Sequence, residues 1–196
     1  MFARPRGVPG KLGGRIMART NSDVERRAVE LAELAPGQTV LVVGPGPGVG
    51  LKLAAARLDG VGVVIGVEPS AAMRAQALRR CAALIHDGRI EVRDGHAAHT
   101  GAADASADVV ISVNNVMFWP DRDAALAELH RALRPGGRLL IATHEVGLRV
   151  AGIGLDQLRG EVERAGFTGV TLHRREHASL MGSGVELVAS RPSGSV

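Results

Sequence analysis

The stretch Val40–Gly50, VLVVGPGPGVG, places four glycines at alternate positions directly after four apolar residues. Because glycine has no Cβ, a strand that ends in glycines can bring its backbone amides close to a ligand. Turns of this kind bind nucleotides and dinucleotides, and they also occur as tight turns without a ligand. The remainder of the sequence has to decide between these two interpretations.

Apolar segments alternate with helical patterns on both sides of this stretch, which is typical of an α/β domain. Strands that are apolar throughout indicate a parallel sheet covered by helices on both faces. The pattern predicts strands at 39–43, 61–67, 89–93, 109–113 and 138–143, and two more near 168–174 and 184–190. Helices are predicted at 24–34, 48–58, 70–84, 121–133 and 155–165.

Composition narrows the class of protein. The chain has 196 residues, 45% of them hydrophobic, which suits one globular domain. Aromatic residues make up 2% and tyrosine is absent, which disfavours single-stranded nucleic acid as a partner. The one cysteine excludes an internal disulfide and a cysteine metal cluster, so we predict a cytoplasmic protein without a metal.

The N-terminal segment differs from the rest of the chain. Residues 1–22 are basic and rich in glycine and proline, and we expect a flexible arm that could cover a substrate. Residues 23–196 are expected to form the single domain. No apolar run approaches the ~20 residues that a membrane-spanning helix needs.

Polar or glycine residues stand at the end of each predicted central strand. The glycine turn is followed along the chain by Glu68, Asp94, Asn114 and His144. In parallel α/β sheets, ligands bind beyond the carboxyl ends of the strands, where the strand order reverses. The sequence therefore predicts a binding site at this edge.

The spacing of the glycines separates the possible cofactors. The dinucleotide fingerprint G-x-G-x-x-G fails in every register, because Val49, Leu51 or Leu53 occupies the third glycine position. A phosphate-binding G-x-x-x-x-G-K-[ST] motif is also absent. The pattern that remains is G-x-G-x-G, formed by Gly44, Gly46 and Gly48.

Across residues 38–145 the chain resembles the class I S-adenosylmethionine (SAM)-dependent methyltransferases. Four features carry the resemblance: VVGPGPG, the acid Glu68 at a strand end, the turn Arg93–His96, and RALRPGGRLLI at 131–141. The resemblance implies a Rossmann-like, seven-stranded, mostly parallel sheet with an antiparallel C-terminal hairpin strand. It also implies SAM as the cofactor.

The same resemblance assigns roles to individual residues. The glycines would approach the methionine part of SAM, and Glu68 would accept hydrogen bonds from both ribose hydroxyls. Residues near the adenine and the methionine group would be Met73, Asp94, Gly95, His96 and Asn114. Met73 could equally be an ordinary core methionine. The family commonly has an acid two residues before the first glycine, where this chain has Val42.

Methyl transfer needs an acceptor held in line, and a base only when the acceptor must lose a proton. His144 and Glu145, directly after the fifth strand, are the candidate catalytic residues. As alternatives, His144 is a hydrogen-bonded loop histidine and Glu145 caps the segment that follows.

Phe118 and Trp119 could contact a small, apolar or aromatic acceptor, although we expect one of them to pack inward. Two alternative functions remain: a methyltransferase-like domain that binds a partner without turnover, and an NAD(P)-dependent reductase. The failed dinucleotide fingerprint disfavours the reductase.

Overall fold

The computed structural model describes residues 22–175 and 183–194. The predicted arm and its role as a lid therefore lie, apart from residue 22, outside the described residues. The described residues form seven strands: β1 Thr39–Val43, β2 Val63–Val67, β3 Ile90–Arg93, β4 Ala107–Val113, β5 Leu133–His144, β6 Thr168–Arg175 and β7 Gly184–Ser190. The helices are α1 at 22–31, α2 Val49–Arg57, α3 Ala71–Arg80, α4 Ala82–His86, α5 Arg122–Ala132, α6 Glu145–Val150 and α7 Leu155–Arg164, with a 3₁₀ turn at Val116–Phe118.

The strands of the described residues form a single sheet in the order β3-β2-β1-β4-β5-β7-β6. Neighbours from β3 to β5 are parallel, whereas β7 runs antiparallel to both β5 and β6. The strand order reverses between β1 and β4, which places the glycine turn at the switch point. This arrangement confirms the predicted sheet, including its antiparallel C-terminal strand.

Two helices, α3 and α5, begin after the capping residues that the sequence predicted. The Ser70 hydroxyl accepts a hydrogen bond from the Met73 amide, and Asp121 Oδ1 accepts one from the Ala124 amide. Each side chain thus satisfies an amide that has no partner within its own helix.

Several elements differ from the prediction. Helix α1 ends at residue 31, since Glu33 adopts a left-handed conformation with φ +46°. The single helix predicted at 70–84 is two helices, α3 and α4. Strand β5 begins at Leu133 and so includes the Pro-Gly-Gly segment, which the prediction left outside the strand at 138–143. Helix α6, only six residues long, was not predicted because so short a segment shows no clear helical period.

Two apolar layers enclose the sheet. One packs α5 and α7 against the sheet around Leu126, Leu129 and Leu158. The other packs α1, α2 and α3 against the opposite face around Ala28, Leu51 and Ala77. These layers hold the carboxyl ends of β1, β2 and β4 rigidly next to one another.

Candidate functional site

A cavity of about 360 Å³ lies at the carboxyl ends of β1 and β4. Its wall is mainly apolar and includes part of the glycine turn. The residues that line it are Val43, Gly44, Pro69, His96, Ala97, Ala98, Asn115, Phe118, Trp119, Pro120, Asp121 and Ala125. Sequence reasoning placed Gly44 and His96 at the site, and the structure brings both into this wall.

The three motif glycines all have positive φ, at +64°, +52° and +86° for Gly44, Gly46 and Gly48. A Cβ on Gly44 would lie 1.9 Å from Nδ2 of Asn115, which donates a hydrogen bond to the Val43 carbonyl at 2.9 Å. A Cβ on Gly46 would meet open space within 4 Å. The turn therefore packs against protein at Gly44 and leaves room for a ligand at Gly46.

Glu68 is buried at the end of β2, and backbone amides hold both of its carboxylate oxygens. Oε2 accepts a hydrogen bond from the Gly46 amide at 3.0 Å, and Oε1 accepts one from the Ser70 amide at 2.9 Å. Each oxygen can accept a second hydrogen bond through its other lone pair. The carboxylate is thus fixed beside the glycine turn and can still accept two hydroxyl donors.

Arg74 of α3 ties the ends of β2 and β3 together. Its Nη1 donates to the carbonyls of Glu68 and Pro69 and to Asp94 Oδ1, at 2.8, 2.9 and 2.7 Å. The Asp94 side chain is 74% exposed and lies at the rim. The sequence did not single out Arg74, because an arginine inside a helix has no distinctive spacing.

Gly95 explains the tight turn after β3. Its φ is +150°, and a Cβ there would lie 2.7 Å from the His99 carbonyl oxygen and 2.8 Å from Val67 Cγ1. The amides of His96 and His99 each donate to the other's carbonyl, which closes the loop. This turn directs His96 into the cavity wall.

The loop at 99–106 is anchored to α5. Glu128 accepts hydrogen bonds from the amide and hydroxyl of Thr100 and from Arg131, which also pairs with Asp104. Burial alone would raise the pKa of Glu128, but the bonds from Arg131 and Thr100 outweigh it and lower the pKa to about 2. The loop is therefore attached to α5 through an ionised carboxylate, and it follows the wall residues Ala97 and Ala98 without lining the cavity itself.

The two aromatic residues of the wall have different environments. Trp119 is 7% exposed and Phe118 is 67% exposed, which confirms that one of them packs inward. Nε1 of Trp119 has no hydrogen-bond acceptor among the described residues. Asn115 also lies in the wall.

The remaining sequence-predicted residues do not line the cavity. Met73 lies in the first turn of α3 and is 38% exposed, and Asn114 follows β4 with φ +51°. His144 ends β5 and is buried. Glu145 begins α6 and forms ion pairs with Arg174 at 2.7 Å and Arg149 at 3.8 Å.

A comparison of the sequence with known protein families identifies the family of this chain. A family model described as a methyltransferase domain matches residues 41–141, about half of the chain. The chain belongs to the class I SAM-dependent methyltransferases. The matched segment runs from β1 into β5, so it contains the glycine turn, Glu68 and most of the cavity wall.

Two curated relatives and one solved structure illustrate what this methyltransferase is similar to. An arsenite methyltransferase of Halobacterium salinarum is 39% identical over 111 residues, covering 57% of this chain and 28% of that protein. The uncharacterised methyltransferase YdaC of Bacillus subtilis is 29% identical over 130 residues, covering 66% and 69%. A geranyl diphosphate methyltransferase in complex with SAM has a TM-score of 0.75 at 18% identity, covering 95% and 92% of the two chains.

The chain thus spans less than a third of the arsenite methyltransferase. At 18% identity, the geranyl diphosphate methyltransferase shows a shared fold. Within residues 22–175 and 183–194, no helix is long and apolar enough to cross a membrane. The same residues contain no group of three or more His, Cys, Asp or Glu that could hold a metal ion.

Proposed function

We propose that this chain transfers the methyl group of SAM to a small, largely apolar or aromatic molecule. The observation that supports it best is the buried Glu68 carboxylate, bonded to the Gly46 amide beside an apolar cavity of about 360 Å³. SAM supplies an activated methyl on its sulfonium, so the protein's task is to bind and orient the two reactants.

The proposed cofactor residues divide into two groups. Gly44, Gly46 and Gly48 would approach the methionine part through the backbone, and Glu68 would accept the ribose hydroxyls through its remaining lone pairs. For the adenine and the neighbouring groups we propose Met73, Asp94, Gly95, His96 and Asn114. The cavity wall adds Pro69 and Asn115 to this set.

The wall of the cavity supports an apolar acceptor. Its lining contains Phe118, Trp119, two prolines and three alanines, and Asp121 is the only formally charged side chain among the described residues in it. A planar apolar molecule could pack against Phe118, which is 67% exposed. A strongly anionic acceptor would face Asp121 without a cation in that wall.

His144 and Glu145 are proposed as the residues on the acceptor side, with His144 as a base where the acceptor must lose a proton. His144 ends the strand next to β4, so it lies at the same edge of the sheet as the cavity. We expect His144→Ala to leave SAM affinity unchanged and to slow turnover, measured by methyl transfer once an acceptor is found. Unchanged turnover would exclude His144 as the base.

Calorimetric titration with SAM, S-adenosylhomocysteine and NADPH tests the proposed function. Binding of the two adenosyl compounds without NADPH binding would support it, and methylated product from an acceptor screen would complete it. Binding of NADPH alone would favour a reductase. Tight SAM binding without turnover on any acceptor would favour a non-catalytic binding domain.

A further inference from the structure

A second, much smaller void also borders the glycine turn. It measures about 10 Å³, close to the space one water molecule needs. Val42, Gly44, Pro45 and Gly50 contribute to its lining, and Gly44 also lines the large cavity. The void and the large cavity therefore share one residue of the turn.

Glu25 of α1 is the only charged side chain among the described residues that line this void. It is half-buried, and its carboxyl group lies next to Gly50, where a Cβ would stand 3.8 Å from Cδ of Glu25. The other side chains of the lining are those of valine, isoleucine and proline. A carboxylate in such surroundings is poorly solvated and favours a cation nearby.

The protein itself compensates this charge incompletely. Burial raises the pKa of Glu25 from 4.5 to about 7, while Arg80 and the Gly50 amide lower it by less. Arg80 belongs to α3, which packs on the same layer of the core. A further positive charge in the void would stabilise the ionised carboxylate.

We propose that Glu25 binds the α-ammonium group of SAM. The Glu25 side chain extends from α1 to the glycine turn and lies there beside Val42 of β1, which is apolar. This inference rests on the proposed function, since it assumes that an adenosyl cofactor occupies the large cavity. An ammonium group is about as large as a water molecule, so it matches the size of the void. It also carries the charge that the carboxylate needs.

A purely structural role has to be separated from this one. Gly48, the N-terminal cap residue of α2, has no side chain, and the carboxylate of Glu25 lies beside Gly50 in the first turn. Glu25 could thus stabilise α2 by satisfying a free amide and by interacting with the helix dipole. A structural cap would affect every ligand of the turn alike, whereas an ammonium partner affects only ligands that carry the amino group.

The test compares two ligands and three proteins. S-adenosylhomocysteine and its analogue with hydrogen in place of the α-amino group are titrated calorimetrically into the wild type, Glu25→Gln and Glu30→Gln. Glutamine has the size and shape of glutamate, so the first variant removes mainly the charge. Glu30 is an exposed glutamate on the same helix and provides the matched control. Thermal melting confirms that each variant is folded.

We expect the wild type and Glu30→Gln to prefer S-adenosylhomocysteine over the deaminated analogue by about 10- to 100-fold, the range for hydrogen bonds to charged groups. Glu25→Gln should bind the two ligands about equally. If Glu25→Gln lowers the affinity for both ligands equally, the inference is overturned in favour of the helix cap. Full retention of the preference would also overturn it. If the wild type binds neither ligand, the proposed function fails as well.

Discussion

Replacing Glu25 by glutamine should make stability less dependent on pH. In the native state the pKa of Glu25 is raised to about 7, against 4.5 without the fold. Between these values the native state holds a proton that the unfolded state has lost, so the wild-type free energy of unfolding falls as pH rises through this window. At about 1.4 kcal/mol per pKa unit, this corresponds to a loss of about 3 kcal/mol.

Glutamine carries no charge at any of these pH values and has the same size and shape as glutamate. Relative to the wild type, Glu25→Gln should therefore gain about 3 kcal/mol between about pH 4.5 and pH 8. Urea unfolding of both proteins across that range, without ligand, measures the difference. Glu30→Gln, at an exposed site, should show no comparable trend. A constant difference between Glu25→Gln and the wild type would refute the burial argument.

Three further substitutions test other parts of the site and fold. Glu68→Gln should weaken SAM binding by about 1.5–3 kcal/mol in calorimetry, and unchanged affinity in a folded variant would remove Glu68 from the cofactor site. Gly44→Ala puts a Cβ 1.9 Å from Asn115 Nδ2 at a residue whose φ is +64°, so we expect both a lower melting temperature and weaker SAM binding. A variant with the wild-type melting temperature and the wild-type SAM affinity would contradict the described turn. Arg122→Ala removes the arginine that donates two hydrogen bonds to the buried Glu161, and it should lower the free energy of unfolding in urea by about 3 kcal/mol. A decrease below about 1 kcal/mol would mean that the ion pair behaves as a solvent-exposed one.

Much of the fold was readable from local sequence. The apolar run at Val40–Val43 forms β1, and the caps Ser70 and Asp121 begin their helices. Such features depend on backbone propensity and on amides within three residues of the cap, so they require no knowledge of distant residues. Helix α6 escaped prediction because it is short.

The candidate site was only partly accessible in the same way. The glycine turn and Glu68 could be found because each stands at the end of a predicted strand. Asn115 and Arg74 could not, since their roles depend on contacts 72 and 20 residues away along the chain. No local spacing encodes which carbonyl or carboxylate such a side chain will reach.

The sequence by itself determined that a parallel sheet ends in a glycine turn with an acid on the next strand. This follows from burial patterns and from the backbone conformations that only glycine adopts readily. Only the tertiary structure decided that Glu25 of α1 lies against that turn beside Val42. How a helix packs on a sheet determines which of their side chains come into contact. That packing depends on the whole apolar layer around Ala28, Leu51 and Ala77.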